Sequence, residues 1–424
     1  MNAGFVISRR LFAVATISLL IVFMANAVCG ASEVNALKVL RITISPHNPH
    51  VIYITTLLGD SYKSTDGGSS WVSQYGFMEE RKLSRPVFDR DNPSVVYAAA
   101  EGRNNDVFIK SADGGESWDL VFDGVWRKTS EFSEDDLEFL EFECGGINRI
   151  FGDPQNSSTL YLGTTRGICK SIDGGLHWEL NKLMNGSYYE SVARLVIYPK
   201  NTSIIYAGTH SGNYKSIDAG ESWTAKSDRT ETEKVSVYGL EIDPNNSEIV
   251  YGIGSPDSHL YKSVDSTTSW QRLNIPSLRH SRWEERASVT TVVVADNSSV
   301  YAIARFESID RLYKSVDGGS SWQHLNIPSF RNKNEEAKIN TMVISDDNSV
   351  IYAGARDGVY RSVDGGRSWQ APEFVPREMS TEIIAIDPTN PKTVYSGGSG
   401  GMHKSTDGGR TWRAINEGLP QGHW

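Results

Sequence analysis

Short apolar runs, separated by clusters of Asp, Pro, Asn and Gly, recur along the chain from about residue 40 onward. Residues 381–412 show the unit. Ile383-Ile384-Ala385-Ile386 is an apolar run of the length of a buried strand. Asp387-Pro388-Thr389-Asn390-Pro391 is turn chemistry: Pro presets φ, while Asp and Asn satisfy nearby backbone groups. Thr393-Val394-Tyr395-Ser396 predicts a second strand, 397–401 a turn, and Met402-His403-Lys404-Ser405 a third strand. Residues 406–411 turn the chain again, and Trp412 opens a fourth strand. The same order returns at Asp153-Pro154 with Tyr161 and at Asp243-Pro244 with Tyr251. Tyr53, Tyr97, Tyr206, Tyr301 and Tyr352 mark the remaining second strands. Amphipathic stretches of helical length are nearly absent, which disfavours a helical solenoid.

Each third strand runs into Ser-x-Asp-x-x-x-Ser/Thr-Trp or a near copy, at 64–71, 111–118, 171–178, 216–223, 263–270, 315–322, 362–369 and 405–412. The aspartates Asp66, Asp113, Asp173, Asp218, Asp265, Asp317, Asp364 and Asp407 lie 47, 60, 45, 47, 52, 47 and 43 residues apart. Such a period marks propeller blades or solenoid units. Four antiparallel strands in about 45 residues make one blade. The fold class is therefore all-β, a single propeller of four-stranded antiparallel blades. Eight complete repeats predict eight blades; seven would require one repeat to be broken or shared. The array opens on a first strand (40–44) and ends after a fourth (412–415). The first and last blades should then meet without exchanging a strand, unless 34–39 adds one.

In each turn the aspartate can accept backbone amides, and glycines such as Gly67 and Gly68 take conformations that a β-carbon penalises. Ser64 and Ser70 can tie down further polar groups, and Trp71 can bury its ring against the neighbouring blade. The fifth copy, Ser263-Val264-Asp265-Ser266-Thr267-Thr268-Ser269-Trp270, lacks the glycines and is expected to be a weak blade.

This Ser-x-Asp-x-Gly-x-Ser/Thr-Trp element resembles the Asp-box, or BNR, repeat. Over 39–416 the chain is similar to the Asp-box β-propellers, among them bacterial sialidases, sortilin-type receptor ectodomains, xyloglucan-acting glycosidases and photosystem II assembly propellers. The resemblance implies a fold and leaves function open. It implies that the boxes lie at third-to-fourth-strand turns, away from the usual ligand face. That face would carry the turns between second and third strands and the connections between blades.

The first 30 residues read as a signal peptide or an N-terminal anchor, and 31–424 as the propeller. Arg9 and Arg10 precede an apolar stretch (11–24), and Ala25-Asn26-Ala27 offers a small-x-small cleavage pattern. Ser8-Arg9-Arg10-Leu11-Phe12 resembles a twin-arginine signal. Residues 11–32 carry no charge, which would suit an uncleaved anchor. The expected location is secreted, periplasmic or cell-surface. Membrane contact is expected only through an uncleaved N-terminal segment. Without Arg9 and Arg10 the chain holds 40 basic and 52 acidic residues, net −12, so nucleic acid is not an expected partner. Cys144 precedes the first strand of its repeat and Cys169 sits in the third. With a strand between them a direct bridge looks strained, and two separate thiols are expected.

Candidate chemistry lies in the loops. A sialidase holds a carboxylate with clustered arginines, and Arg166, Arg305 and Arg356 fall between second and third strands. However, the Phe-Arg-Ile-Pro signature of that family is missing, and Ser84-Arg85-Pro86-Val87 is a poor substitute. A glycosidase would use paired carboxylates, for which the candidates are Asp257, Glu307 and Asp310. Two near-duplicate loops begin Leu273-Asn274-Ile275-Pro276 and Leu325-Asn326-Ile327-Pro328. They supply Arg279, Arg282, Trp283 and Arg331 as candidate binding residues. The long connection 119–145 carries an acidic run, Glu131 to Glu143. A Lys or Arg before every box (Lys63, Lys110, Lys170, Lys215, Lys262, Lys314, Arg361, Lys404) reads as a solvated face. Scattered histidines show no metal-ligand spacing, so neither metal nor cofactor is expected. The function expected is an exported, non-catalytic propeller binding an unidentified protein or glycan through its loop-rich face. The alternatives are an Asp-box glycoside hydrolase and a membrane-complex assembly factor.

Overall fold

A computed structural model describes residues 38–74, 82–101, 107–122, 144–185, 188–209, 211–226, 236–275, 288–306, 309–330, 335–345 and 348–420. Consecutive strands pair in order and antiparallel within eight sheets, which form the blades of one propeller. The blades span 39–73, 82–122, 147–182, 192–226, 236–272, 288–324, 339–370 and 383–414. In blade 7 the fourth strand shrinks to a single bridge, Arg361 to Gln370.

The antiparallel register fixes which loops share a face. In blade 1 the start of the first strand (Val39–Ile44) lies opposite the end of the second (Ile52–Thr56), with Val39 paired to Thr56. The turn from second to third strand and the entry from the preceding blade therefore sit at one face, the loop-rich face. The first-to-second and third-to-fourth turns sit at the other.

Why the blades adhere is visible in their apolar pattern. Eight buried clusters lie among the described residues, each at a joint between neighbouring blades. At one, Tyr97, Ala99 and Phe108 of blade 2 meet Ile147, Leu162 and Trp178 of blade 3. Phe108 and Trp178 stand edge-to-face with centroids 5.0 Å apart. The seam between blades 8 and 1 is built alike from Tyr395, Met402, Ile415 and Val39, Ile54, Trp71. The ring closes without an exchanged strand.

The Ser-x-Asp turns follow one pattern. In the first, Ser64 Oγ donates to Asp66 Oδ1 (2.8 Å) and accepts the Gly68 amide (2.8 Å), while Ser70 donates its amide (2.9 Å) and hydroxyl (2.6 Å) to Asp66. The glycine-free fifth turn keeps every one of these bonds. It does so with Ser266 and Thr267 at φ 61° and 67°, a region that penalises any β-carbon.

Two expectations are corrected here. The Lys row is no solvated face. Each tyrosine of a second strand pairs directly across the ladder with the Lys or Arg before the turn, as Tyr251 does with Lys262. The lysine then reaches the next blade's turn: Lys110 Nζ donates to Gly174 O (3.2 Å), Lys262 to Gly318 O (2.9 Å), and Lys314 to Gly365 O (2.8 Å). Lys63 and Lys170 are almost fully buried and pair with Glu116 and Glu221 of the following turn. The tyrosine ring lies beneath the ammonium, 5.2 Å away in the Lys314–Tyr301 pair.

Cys144 and Cys169 form a disulfide, with Cα atoms 6.2 Å apart. The expectation of separate thiols rested on the strand that lies between the first and the third. Gly145 instead turns the chain at φ 75°, and Cys144 packs into the cluster that holds Cys169.

Candidate functional site

The loop-rich face starts from the first strands, whose N-terminal ends lie beside it. In blades 1 to 7 the pairing of first with second strand shifts register early in the first strand. A bulge of this kind re-aims a side chain. Asn148 thereby donates to Val192 O of the next blade (3.1 Å), and Asn340 to Thr381 O (2.8 Å). Nearby, Arg194 bridges to the next blade through Leu240 O (3.2 Å) and pairs with the Glu241 carboxylate. Burial pushes the Glu241 carboxyl up, and the positive charges of Arg194 and Arg149 work against that rise. Lys38 and Glu382 pair across the closing seam at 3.4 Å.

Two of the three candidate catalytic carboxylates are described. Asp310 lies opposite Arg305 in the hairpin of blade 6 and accepts both Nε (2.8 Å) and Nη2 (3.1 Å) from it. Arg305 thus sits within a strand rather than a loop, and its charge is matched at once. Asp257 in blade 5 accepts the Tyr261 hydroxyl (2.5 Å) and lies 3.1 Å from His259 Nδ1, on whose other side stands Arg272. Burial, followed by the Arg272 charge, lowers the His259 pKa against the pull of Asp257. A third carboxylate, Asp357 in blade 7, was not singled out by sequence. It accepts Ser329 Oγ (2.6 Å), the Phe330 amide (3.0 Å) and Tyr360 Oη (2.8 Å), fastening the preceding inter-blade connection to its blade. Glu336 performs a similar task between His324 (2.6 Å) and Arg311 (3.4 Å).

The arginines divide. Arg166 lies in the second-to-third-strand turn of blade 3, with its guanidinium 5.7 Å from the ring centroid of Tyr189. Arg305 belongs to Asp310, and Arg356 is exposed in the turn of blade 7. Glu307, Arg279, Arg282, Trp283, Arg331 and the acidic run lie outside the described residues, as does the N-terminal segment.

Sequence reasoning passed over Tyr188 and Tyr189. They form one side of a small hairpin between blades 3 and 4, in which Met184 pairs with Tyr189 and Asn185 with Tyr188. Tyr188 is 80% exposed and Tyr189 46%. The signal was present in the sequence: a Gly-Ser pair at 186–187 is of hairpin-turn type, and these tyrosines do not occupy the second-strand position that absorbs the repeat's own.

On the opposite face, a recess of about 390 Å³ lies among the first-strand ends of blades 8, 1 and 2. Ile44, Pro46, Val87, Phe88, Ile386 and Pro388 line it, with no ionisable group. Among the described residues no group of three or more His, Cys, Asp or Glu is arranged to hold a metal.

Comparison with known proteins adds fold and little else. No protein-family model matches the chain, and no curated protein does. Solved structures do. The GH74 xyloglucanase from Xanthomonas campestris is 17% identical at a TM-score of 0.53, over 92% of this chain and 69% of the enzyme. An ancestral GH74 enzyme is 15% identical at a TM-score of 0.54, over 91% of this chain and 55% of its own. YCF48 bound to D1 peptide is 12% identical at a TM-score of 0.46, over 87% of this chain and 93% of its own. These neighbours are β-propellers.

Proposed function

We propose that the chain is an exported, non-catalytic Asp-box propeller that binds a protein or glycan through its loop-rich face. One observation carries this reading. Two of the candidate carboxylates at that face are held by their own scaffold, Asp310 by Arg305 and Asp257 by Tyr261, whereas Tyr188 stands in solvent. Both oxygens of Asp310 accept from Arg305, so that carboxylate is engaged within its own hairpin. Export is supported by the buried Cys144–Cys169 bridge, since disulfides persist in oxidising compartments. Glycan is a natural first ligand to try, because GH74 xyloglucanases share the fold.

The test incubates the purified protein with xyloglucan oligosaccharides, β-glucans and sialosides and reads products by mass spectrometry. No cleavage is expected. Turnover that disappears in Asp257→Asn, Glu307→Gln or Asp310→Asn would replace the binding reading with a hydrolase. Co-purification with a membrane complex would instead favour an assembly role.

A further inference from the structure

We propose that the hairpin bearing Tyr188 and Tyr189 is a stacking subsite for a neutral, hydroxyl-rich oligosaccharide. The inference rests on the reading of the loop-rich face as a binding surface and names the ligand class at one place on it. Successive strand residues point to opposite sides of a ladder. Tyr188 and Tyr189 therefore present two separate rings, one on each side of the hairpin. Tyr189 shares its side with Met184, opposite it in the ladder, and with the guanidinium of Arg166. Tyr188 is the more exposed of the two.

The surroundings argue for a sugar. Thr165 accepts the Gly146 amide (3.0 Å), and Ser191 accepts the Asn148 side-chain amide (3.0 Å). A hydroxyl that already accepts retains its O–H to donate. Ring faces with hydroxyl donors next to Arg166 and two residues beyond Tyr189 in the chain suit the apolar C–H face and polar rim of a pyranose. A protein partner would require a contiguous apolar core over an interface on the order of 1,000 Å². Apart from Met184 of the hairpin itself, the exposed apolar residues described at this face, Leu40 and Leu58, belong to blade 1, two blades away. The ligand's charge follows from the chain's. At net −10 the protein repels polyanions, and the Arg166 guanidinium is engaged with Tyr189.

The test is calorimetric titration of the purified protein with cellohexaose, a xyloglucan oligosaccharide and an oligogalacturonate. Variants Tyr188→Ala, Tyr189→Ala and Tyr188→Phe are compared, with an unchanged melting temperature as the control for folding. Binding of a neutral oligosaccharide is expected. It should weaken about tenfold in Tyr188→Ala, equivalent to about 1.4 kcal/mol, and persist in Tyr188→Phe, which keeps the ring. Unchanged affinity in both alanine variants would overturn the subsite while leaving glycan binding elsewhere on the face intact. Preference for the galacturonate would overturn the neutral assignment. Binding to none of the three would overturn the inference outright. A protein cross-linked to the face would then sustain the broader reading without it.

Discussion

Lys404 of the last blade donates to the carbonyl of Gly67 in the first, at 2.8 Å. Tyr395 reaches the same oxygen at 3.3 Å, and Trp71 of the first blade donates its indole N–H back to Ile415 O at 2.7 Å. The seam of the ring is thus fastened by the device found at the joints of Lys110, Lys262 and Lys314, a lysine above a tyrosine reaching a glycine carbonyl of the next turn. Lys404→Met should lower stability by about 1–2 kcal/mol, as expected for a lost hydrogen bond from a charged donor. Lys262→Met at an internal joint should cost a similar amount. Thermal melts of the two variants compare them directly, and a seam variant that alone collapses would show the closure to be a special weak point.

The turn aspartates set an acid limit. Hydroxyl and amide bonds from Ser222, followed by Ser216, hold the Asp218 carboxyl down to about 2. Its unfolded value lies near 3.9. A depressed folded pKa stabilises above the unfolded pKa, and that contribution is lost as pH falls through the folded one. Melting temperature should therefore change little through these groups from pH 7 to 5 and fall between about pH 4 and 2. Replacing several of them, Asp66, Asp218 and Asp317 to Asn, should flatten that fall.

Removing one turn aspartate at neutral pH should also be felt. Asp66→Ala deletes the acceptor of the Ser64 hydroxyl and of the Ser70 amide and hydroxyl. A loss of about 1–2 kcal/mol is expected in chemical denaturation.

Blade 5 offers the reverse experiment. Thr267 holds φ 67° and is fully buried, with its hydroxyl unpartnered. Thr267→Gly relieves both the left-handed backbone and the orphaned oxygen, so stability should rise by about 1 kcal/mol. An unchanged or lower melting temperature would show that the turn tolerates its β-carbons at no cost.

The disulfide closes a separation of 25 residues. Its removal by Cys144→Ala and Cys169→Ala should cost about 3 kcal/mol. Alkylation of the denatured, unreduced protein should leave both cysteines unlabelled, and reduction should expose them.

Much of this fold was legible because its repeat is local. The strand order, the turn aspartates and the burial of Trp71 and Trp178 against neighbouring blades follow from patterns contained within about 45 residues. What crosses a joint was not legible. The acceptor of Lys262 is a backbone carbonyl 56 residues on, and a carbonyl carries no sequence signature. The lysine therefore looked like an ordinary solvent-facing residue. Cys144 was misplaced because a single glycine at positive φ redirects the chain just before the strand. At the loop-rich face, residue type suggested Asp257, Asp310 and Arg305 as free chemistry. Residue type did not show their partners, Arg305 with Asp310 across a hairpin and Tyr261 with Asp257. Tyr188 escaped notice for the opposite reason. The repeat uses so many tyrosines structurally that one outside its positions was easily counted with the rest.

A ring whose first and last blades meet with no shared strand has no privileged starting point. Linking its ends by a short flexible peptide and cutting the chain at the joint between blades 4 and 5 would give the same cycle in a different chain order. Lineages built on such joints can gain or lose a blade by duplication or deletion of one gene segment, because no single segment carries the clasp.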